Sequence, residues 1–154
     1  MSGKADFTPE EWEILLQGPP SAGMIVVTAQ RGGTFRETIA IAKSYVEARK
    51  QHGESQLLDE IVSAKPEMDH SRYSSAEELK ERGLEHLRAA VEVLERKATT
   101  EELDDYQRFV LSLADHVAAA HREDGESVSS AERVAIEEIA RSLGSQAPQV
   151  PPAR

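Results

Sequence analysis

Five capping boxes constrain the fold of this chain more than any other feature of the sequence. In a capping box, a serine or threonine side chain accepts a hydrogen bond from the amide three residues later, and a glutamate at that position bonds back to the first amide. The box occurs at Thr8–Glu11, Thr34–Glu37, Ser75–Glu78, Thr99–Glu102 and Ser129–Glu132. Because each box leads into a stretch with helical apolar spacing, the sequence predicts that a helix begins at each of them.

The spacing of apolar residues supports these helices. After Thr99, spacings of three and four residues alternate and place the apolar side chains on one helix face. The residues of this stripe are Leu103, Tyr106, Val110, Leu113, Val117 and Ala120. Similar stripes follow the boxes at Ser75 and Ser129, and Gly144 provides a C-cap for the last helix.

Two further helices follow from shorter stripes. After Thr34 the predicted stripe consists of Ile39, Ala42, Tyr45 or Val46, and Arg49, and this helix is expected to end near Gly53. A short helix that stops before Pro66 is expected to carry Leu57, Leu58, Ile61 and Val62.

Residues 19–30 are compatible with either a strand or a helix. Residues 24–28 are rich in β-branched side chains, which favours a strand. A lone strand would have no partner elsewhere in the chain, and a sheet needs one. We therefore interpret this segment as a short buried helix.

Length and periodicity together predict an all-α fold. A chain of 154 residues has the size of one domain. We expect a single helical domain over residues 1–144, built as a compact bundle of about six or seven helices. Residues 66–74 are expected to form a linker, and the proline-rich tail, residues 145–154, is predicted to be disordered.

Charge and composition exclude several classes of partner. The chain has 28 acidic and 18 basic side chains, a formal net charge of -10, which repels the phosphate backbone of nucleic acids. Its apolar runs are far shorter than the ~20 residues that span a bilayer, so no membrane insertion is expected. The chain has no cysteine and no visible secretory signal, which fits a cytoplasmic protein.

Two segments, residues 28–41 and 120–136, resemble each other. Each has an alanine-containing helix end, a glycine turn and a capping box that is followed by Ala-Ile. One interpretation is a duplicated hairpin, which would give two related helix-hairpin halves about a pseudo-twofold axis. The other is that two hairpins use the same turn and cap chemistry independently. The sequence leaves both open.

The second segment resembles the helical domain of the tellurite-resistance TerB-like proteins. Their recurrent feature is a helix of small residues ahead of an Asp-Gly turn, followed by Ser-x-x-Glu. Here these positions are Ala119 or Ala120, Asp124-Gly125, Ser129 and Glu132. The resemblance lies mainly in residues 110–143, with a fainter echo at 8–50. It implies a cytoplasmic helical protein associated with stress or membrane-linked complexes rather than with a defined reaction.

Two departures from the TerB-like pattern concern the turns. The loop at Asp124 is longer than is usual in the family. The turn of the first segment, residues 28–41, reads Arg31-Gly32-Gly33 and has no aspartate. If the family uses acidic loops to hold a cation, the first segment does not do so in the same way.

Acidic and histidine side chains cluster around the second turn. The candidate metal ligands are His121, Asp124, Glu126 and Glu132. Carboxylates on a flexible loop suit a hard divalent cation, and an imidazole shifts the preference towards a transition metal. The alternative is a solvated acidic loop in which Ser129 and Glu132 serve only as a cap. No cofactor is required by the sequence beyond this candidate cation.

Two other residues are candidates for function. Trp12, the single tryptophan, is expected in the core, or at an interface with a partner if its ring is exposed. His116 follows Asp115 within an apolar stretch, but the sequence signals no serine or threonine to pair with it as a nucleophile. We therefore expect His116 to be a histidine at the edge of the core.

The sequence favours a non-catalytic helical interaction or adaptor domain of TerB-like type, stress-related and tuned by a cation. Its expected partner is another protein or a second copy of the chain. The alternative is a metal-dependent helical-bundle enzyme with a His and carboxylate site within residues 115–132.

Overall fold

The computed structural model describes residues 4–29, 35–50, 56–64, 75–123 and 130–144. Their backbone forms one short 3₁₀ helix (Lys4–Asp6) and six α-helices, and it contains no strand. The prediction of an all-α bundle is therefore confirmed. The helices are α1 (Pro9–Ala29), α2 (Phe35–Lys50), α3 (Gln56–Ser63), α4 (Ala76–Lys97), α5 (Thr100–Glu123) and α6 (Ser130–Ser142).

Each helix predicted from a capping box begins one residue after the predicted N-cap, which holds for α1, α2, α4, α5 and α6. In the first box, the Thr8 amide donates to Glu11 Oε1 at 2.9 Å and the Glu11 amide donates to Thr8 Oγ1 at 3.1 Å. The box at Thr99 and Glu102 has both bonds at the same two distances. Local side-chain chemistry therefore decides where these helices begin.

Two predicted helix ends, at Gly144 and before Pro66, are also confirmed. Gly144 has a φ of 72°, and its amide donates to the Arg141 carbonyl at 3.0 Å, as a glycine C-cap does. The short helix α3 ends at Ser63, before Pro66. Helix α2 ends at Lys50, three residues ahead of Gly53.

Helix α1 is the central helix of the bundle. Residues 18–20 and 22–27 are all buried, and a helix that is apolar on all sides belongs in a protein interior. Helices α2, α4, α5 and α6 pack around it. The prediction that residues 19–29 are helical is confirmed. The prediction of a separate short helix is wrong, because these residues continue α1 without a break.

Pro19 and Pro20 lie inside α1, where proline normally breaks a helix. Pro19 has no N–H, so the Leu15 carbonyl four residues earlier lacks a donor within its own helix. The hydroxyl of Tyr106 on α5 donates to this carbonyl at 2.8 Å, and the bond is buried. Burial also raises the pKa of Tyr106, which keeps the hydroxyl protonated as a donor. Tyr106 thus provides the hydrogen bond that Pro19 cannot.

Two glycines let the neighbouring helices approach α1 closely. A Cβ at Gly18 would overlap the Tyr106 hydroxyl. A Cβ at Gly23 would lie 2.6 Å from Ile41 Cδ1 and 2.9 Å from Leu113 Cδ2, closer than carbon atoms pack. The close contacts of α2 and α5 with the centre of α1 therefore require glycine, which has no side chain, at positions 18 and 23.

The predicted buried face of α2 is wrong except at Tyr45, which was one of two alternatives at its position and is buried. Ile39, Ala42 and Val46 are exposed, with Ile39 at 37% and Val46 at 44%. Among residues 39–50 of this helix, the buried ones are Ala40, Ile41, Ser44 and Tyr45. The helix carries two overlapping apolar stripes one position apart, and packing selects the one that places Ile41 over Gly23 and Tyr45 edge-on against Phe109, with ring centroids 5.3 Å apart.

Several predictions fall outside the described residues. The two similar segments span the α1–α2 and α5–α6 junctions, but residues 30–34 and 124–129 of these junctions lie outside, so the duplication stays a prediction. The linker at 66–74 and the tail at 145–154 lie outside as well. Among the described helices, none is long and apolar enough to cross a lipid bilayer.

The first turn of α1 is tied to the last turn of α4 through Glu11. Lys97 Nζ lies 2.6 Å from Glu11 Oε1, and Arg96 Nη2 lies 3.6 Å from Oε2. The hydrogen bond from Lys97, together with the one from the Thr8 amide, lowers the pKa of Glu11 below its ordinary value of 4.5. The ionised carboxylate is thus the form that the folded state favours.

We expect Tyr106→Phe to lower the free energy of unfolding by about 1–3 kcal/mol, because the buried Leu15 carbonyl loses its donor. In a Pro19→Ala background the cost should be smaller, since the new amide at position 19 can donate to Leu15. Urea unfolding of the four chains of this double-mutant cycle measures both values. Equal costs in the two backgrounds would contradict the assigned role of Tyr106.

We expect Glu11→Gln to destabilise the protein at pH 7 and to have little effect at low pH. The folded-state pKa of Glu11 is lowered, so its contribution is present above about 4.5 and is lost as the pH falls through the folded-state value. Glutamine still completes a capping box, so the substitution isolates the charge. Thermal unfolding across pH measures the difference, and Glu81→Gln on the exposed face of α4 is the control.

Candidate functional site

The predicted cation site lies mostly outside the part of the chain that the structure describes. The side chains of His121, Asp124 and Glu126 are outside it. Glu132 is described, and it is fully buried in the first turn of α6. Within the described residues, no three His, Asp or Glu side chains form a group that could hold a metal ion. Since three of the four candidates are outside, the cation site stays a prediction.

Trp12 belongs to the core. Its side chain is 7% exposed, and its ring packs against Phe7 with the centroids 5.8 Å apart. The structure therefore places this residue in the interior of the bundle, which was one of the two alternatives, and not on a surface that a partner reaches.

A cleft of about 500 Å³ opens between α2, α3 and α5. Ala48, Leu58 and Phe109 provide its apolar lining. The short helix α3 packs on α2 and α5 at the edge of the bundle. Arg49 Nε donates to the Val62 carbonyl at 2.6 Å, which holds the last turn of α3 to α2. This cation also complements the negative end of the α3 dipole.

Four charged side chains line this cleft besides its apolar residues. Glu47 comes from α2, Asp59 from α3 and Asp105 from α5, and Arg108 on α5 is the cation among them. The Arg108 guanidinium lies 3.9 Å from Asp105, a separation at which an exposed ion pair contributes little. Lys50 Nζ lies 3.9 Å from Glu47 Oε2, a second exposed and weak ion pair. Acidic side chains therefore outnumber basic ones among the residues that line the cleft, in line with the net charge of the chain.

Ser44 and His116 form a hydrogen bond at the same cleft. Ser44 Oγ on α2 lies 2.8 Å from His116 Nδ1 on α5. His116 is otherwise exposed, so its expected place at the edge of the core is confirmed. Its serine partner could not be predicted from the sequence, because the two residues are 72 positions apart and only the packing of α2 on α5 brings them together.

The Ser44–His116 pair lacks the access that nucleophilic catalysis needs. Ser44 lines the cleft but is only 4% exposed, so little of its surface is open to a substrate. A second pair of the same kind joins Ser21 on α1 to His86 on α4 at 3.2 Å. In both pairs, an imidazole nitrogen satisfies a serine hydroxyl between two packed helices. We therefore assign Ser44–His116 a structural role in shaping the cleft wall.

Comparison with protein-family models, with curated proteins and with solved structures finds no match for this chain. The TerB-like resemblance accordingly stays a prediction from the residues that carry it. The candidate site rests on the geometry of the cleft.

We expect Ser44→Ala to cost about 0.5–1.5 kcal/mol in stability, because one hydrogen bond between packed helices is lost. Ser112→Ala, an exposed change at the same cleft, should alter the free energy of unfolding by less than about 0.5 kcal/mol. Intact mass after incubation with a fluorophosphonate should show no adduct in the wild-type protein. An adduct that disappears in Ser44→Ala would overturn the structural assignment and favour a hydrolase.

Proposed function

We propose that this chain is a non-catalytic helical interaction module and that a protein partner docks in the cleft between α2, α3 and α5. The observation that carries the proposal is the cleft itself, with an apolar lining from Ala48, Leu58 and Phe109 and a polar rim. Its volume of about 500 Å³ falls in the range of binding pockets. The three helices that form it are held by the core, so the site is formed before a partner arrives.

The chemistry of the cleft supports binding over catalysis. Its hydroxyl–imidazole pair, Ser44 and His116, is placed to join helices and not to attack a substrate. An apolar base surrounded by exposed charges resembles the usual anatomy of a protein interface, in which a buried centre is enclosed by a polar rim. Such a site gains affinity from burial at its centre and selectivity from its charges.

Other parts of the proposal rest on the sequence. They are the TerB-like family, a role in stress, a cytoplasmic location and tuning by a divalent cation at His121, Asp124, Glu126 and Glu132. Self-association remains the second type of partnership that we propose. The metal-dependent enzyme within residues 115–132 remains the alternative function, and it depends on the same ligands.

Site-specific photo-crosslinking in cells tests the docking site. A photoreactive amino acid is placed at Ser112, which is exposed at the cleft, and in a separate protein at Val134, which is 47% exposed on α6. We expect adducts with a distinct partner from position 112 and not from position 134. Ala48→Gln fills the cleft lining with a longer side chain that a helix accepts, and it should abolish the adduct.

The outcome at position 134 decides how the crosslinks are interpreted. The same adducts from positions 112 and 134, or an adduct from position 112 that survives Ala48→Gln, would contradict docking in the cleft. Circular dichroism and the unfolding midpoint of Ala48→Gln show whether the fold is intact. An adduct between two copies of the chain would identify self-association as the partnership.

A further inference from the structure

We infer that the partner segment of the cleft is cationic and amphipathic, with an arginine or lysine beside a large apolar side chain. This inference rests on the proposed function and adds the chemistry of the partner. It follows from how the acidic and apolar residues are arranged in space, which the sequence does not show.

The carboxylates stand on three different walls of the cleft. Glu47 lies on α2, Asp59 on α3 and Asp105 on α5. The Glu47 side chain is 60% exposed and pairs with Lys50 at 3.9 Å, and the Asp105 side chain is 29% exposed and pairs with Arg108 at 3.9 Å. Pairs this long and this exposed are weak, so a ligand cation can compete for both carboxylates. Among the described residues no three acidic or histidine side chains are grouped closely enough to hold one metal ion, so these carboxylates do not form a compact cation site. A segment that lies across the cleft can place its basic side chains near more than one of them.

The apolar lining decides against a purely charged ligand. Phe109 is buried, and Ala48 and Leu58 are partly exposed between the acidic walls. When an apolar side chain covers such a surface, the binding free energy becomes more favourable by roughly 25 cal/mol for each Å² removed from water. A polyamine would neutralise the carboxylates but leave the lining in contact with its own polar nitrogens and water. A leucine, isoleucine or phenylalanine beside the basic residue satisfies both features.

The net charge of the whole chain also favours a cationic partner. A net charge of -10 attracts cationic segments from a distance and repels acidic ones, which raises the rate of encounter. The same field explains why a test needs a control for attraction that is not specific to the cleft. Arg108 is a cation that lines the cleft and is 76% exposed. Removing its charge should strengthen the negative field at the cleft, which gives a test in the opposite direction.

Fluorescence anisotropy with two synthetic peptides tests the inference. One is an amphipathic peptide of leucine and arginine, and the other has glutamate in place of every arginine. We expect the arginine peptide to bind and the glutamate peptide not to bind. Asp105→Asn and Glu47→Gln should each weaken binding about two- to fivefold, the range of partly exposed ion pairs. Arg108→Gln should tighten binding by a similar factor.

Matched controls separate the cleft from general attraction. Glu92→Gln on the exposed face of α4 changes the net charge by the same amount away from the cleft and should leave the affinity unchanged. Ala48→Gln should abolish peptide binding without changing the net charge. Spermine should compete only weakly, because it has charge without a compact apolar side chain.

Each contrary result has one meaning. If Glu92→Gln weakens binding as much as Asp105→Asn does, the attraction is not specific to the cleft and the inference fails. If spermine competes as well as the peptide, the apolar requirement fails. If only the glutamate peptide binds and Ala48→Gln abolishes its binding, docking in the cleft survives and the cationic partner is overturned. If no peptide binds while Ser112 still crosslinks a partner, the inference alone fails.

Discussion

The buried hydrogen bond between Tyr106 and the Leu15 carbonyl is the interaction on which this fold depends. Helix α1 must pass through the centre of the bundle, yet Pro19 removes one of its own hydrogen bonds there. A carbonyl without a donor at this depth would cost a large part of the stability of a small domain. The α5 hydroxyl provides the missing donor, and Gly18 leaves the space for it.

The position of α1 determines where a binding site can form. Four helices surround it, and Gly23 brings α2 and α5 against its backbone. The short helix α3 packs on α2 and α5, with Leu57, Ile61 and Val62 buried. The cleft lies where these three helices meet. Its walls are consequently helices that pack on one another, which favours a preformed binding site over one that forms on contact.

Predictions of helix starts from capping boxes succeeded, whereas the separate short helix expected from residue 19 and most of the expected face of α2 were wrong. The capping boxes placed the starts of five helices, because each box is complete within four residues. The buried face of α2 was wrong apart from Tyr45, since two apolar stripes one position apart are equivalent until another helix packs on one of them. The serine partner of His116 and the acidic cleft were missed for the same reason: their members come from separate helices.

The sequence alone determined that this chain is helical, where its helices begin and that it is strongly acidic. Those properties depend on hydrogen bonds within one turn, on a period of 3.6 residues and on a count of charges. Tertiary structure alone decided that α1 continues through two prolines and that Glu47, Asp59 and Asp105 surround an apolar cleft. Both outcomes require side chains far apart in sequence to meet, and that pairing is specified by the packing of the whole core and not by any local pattern.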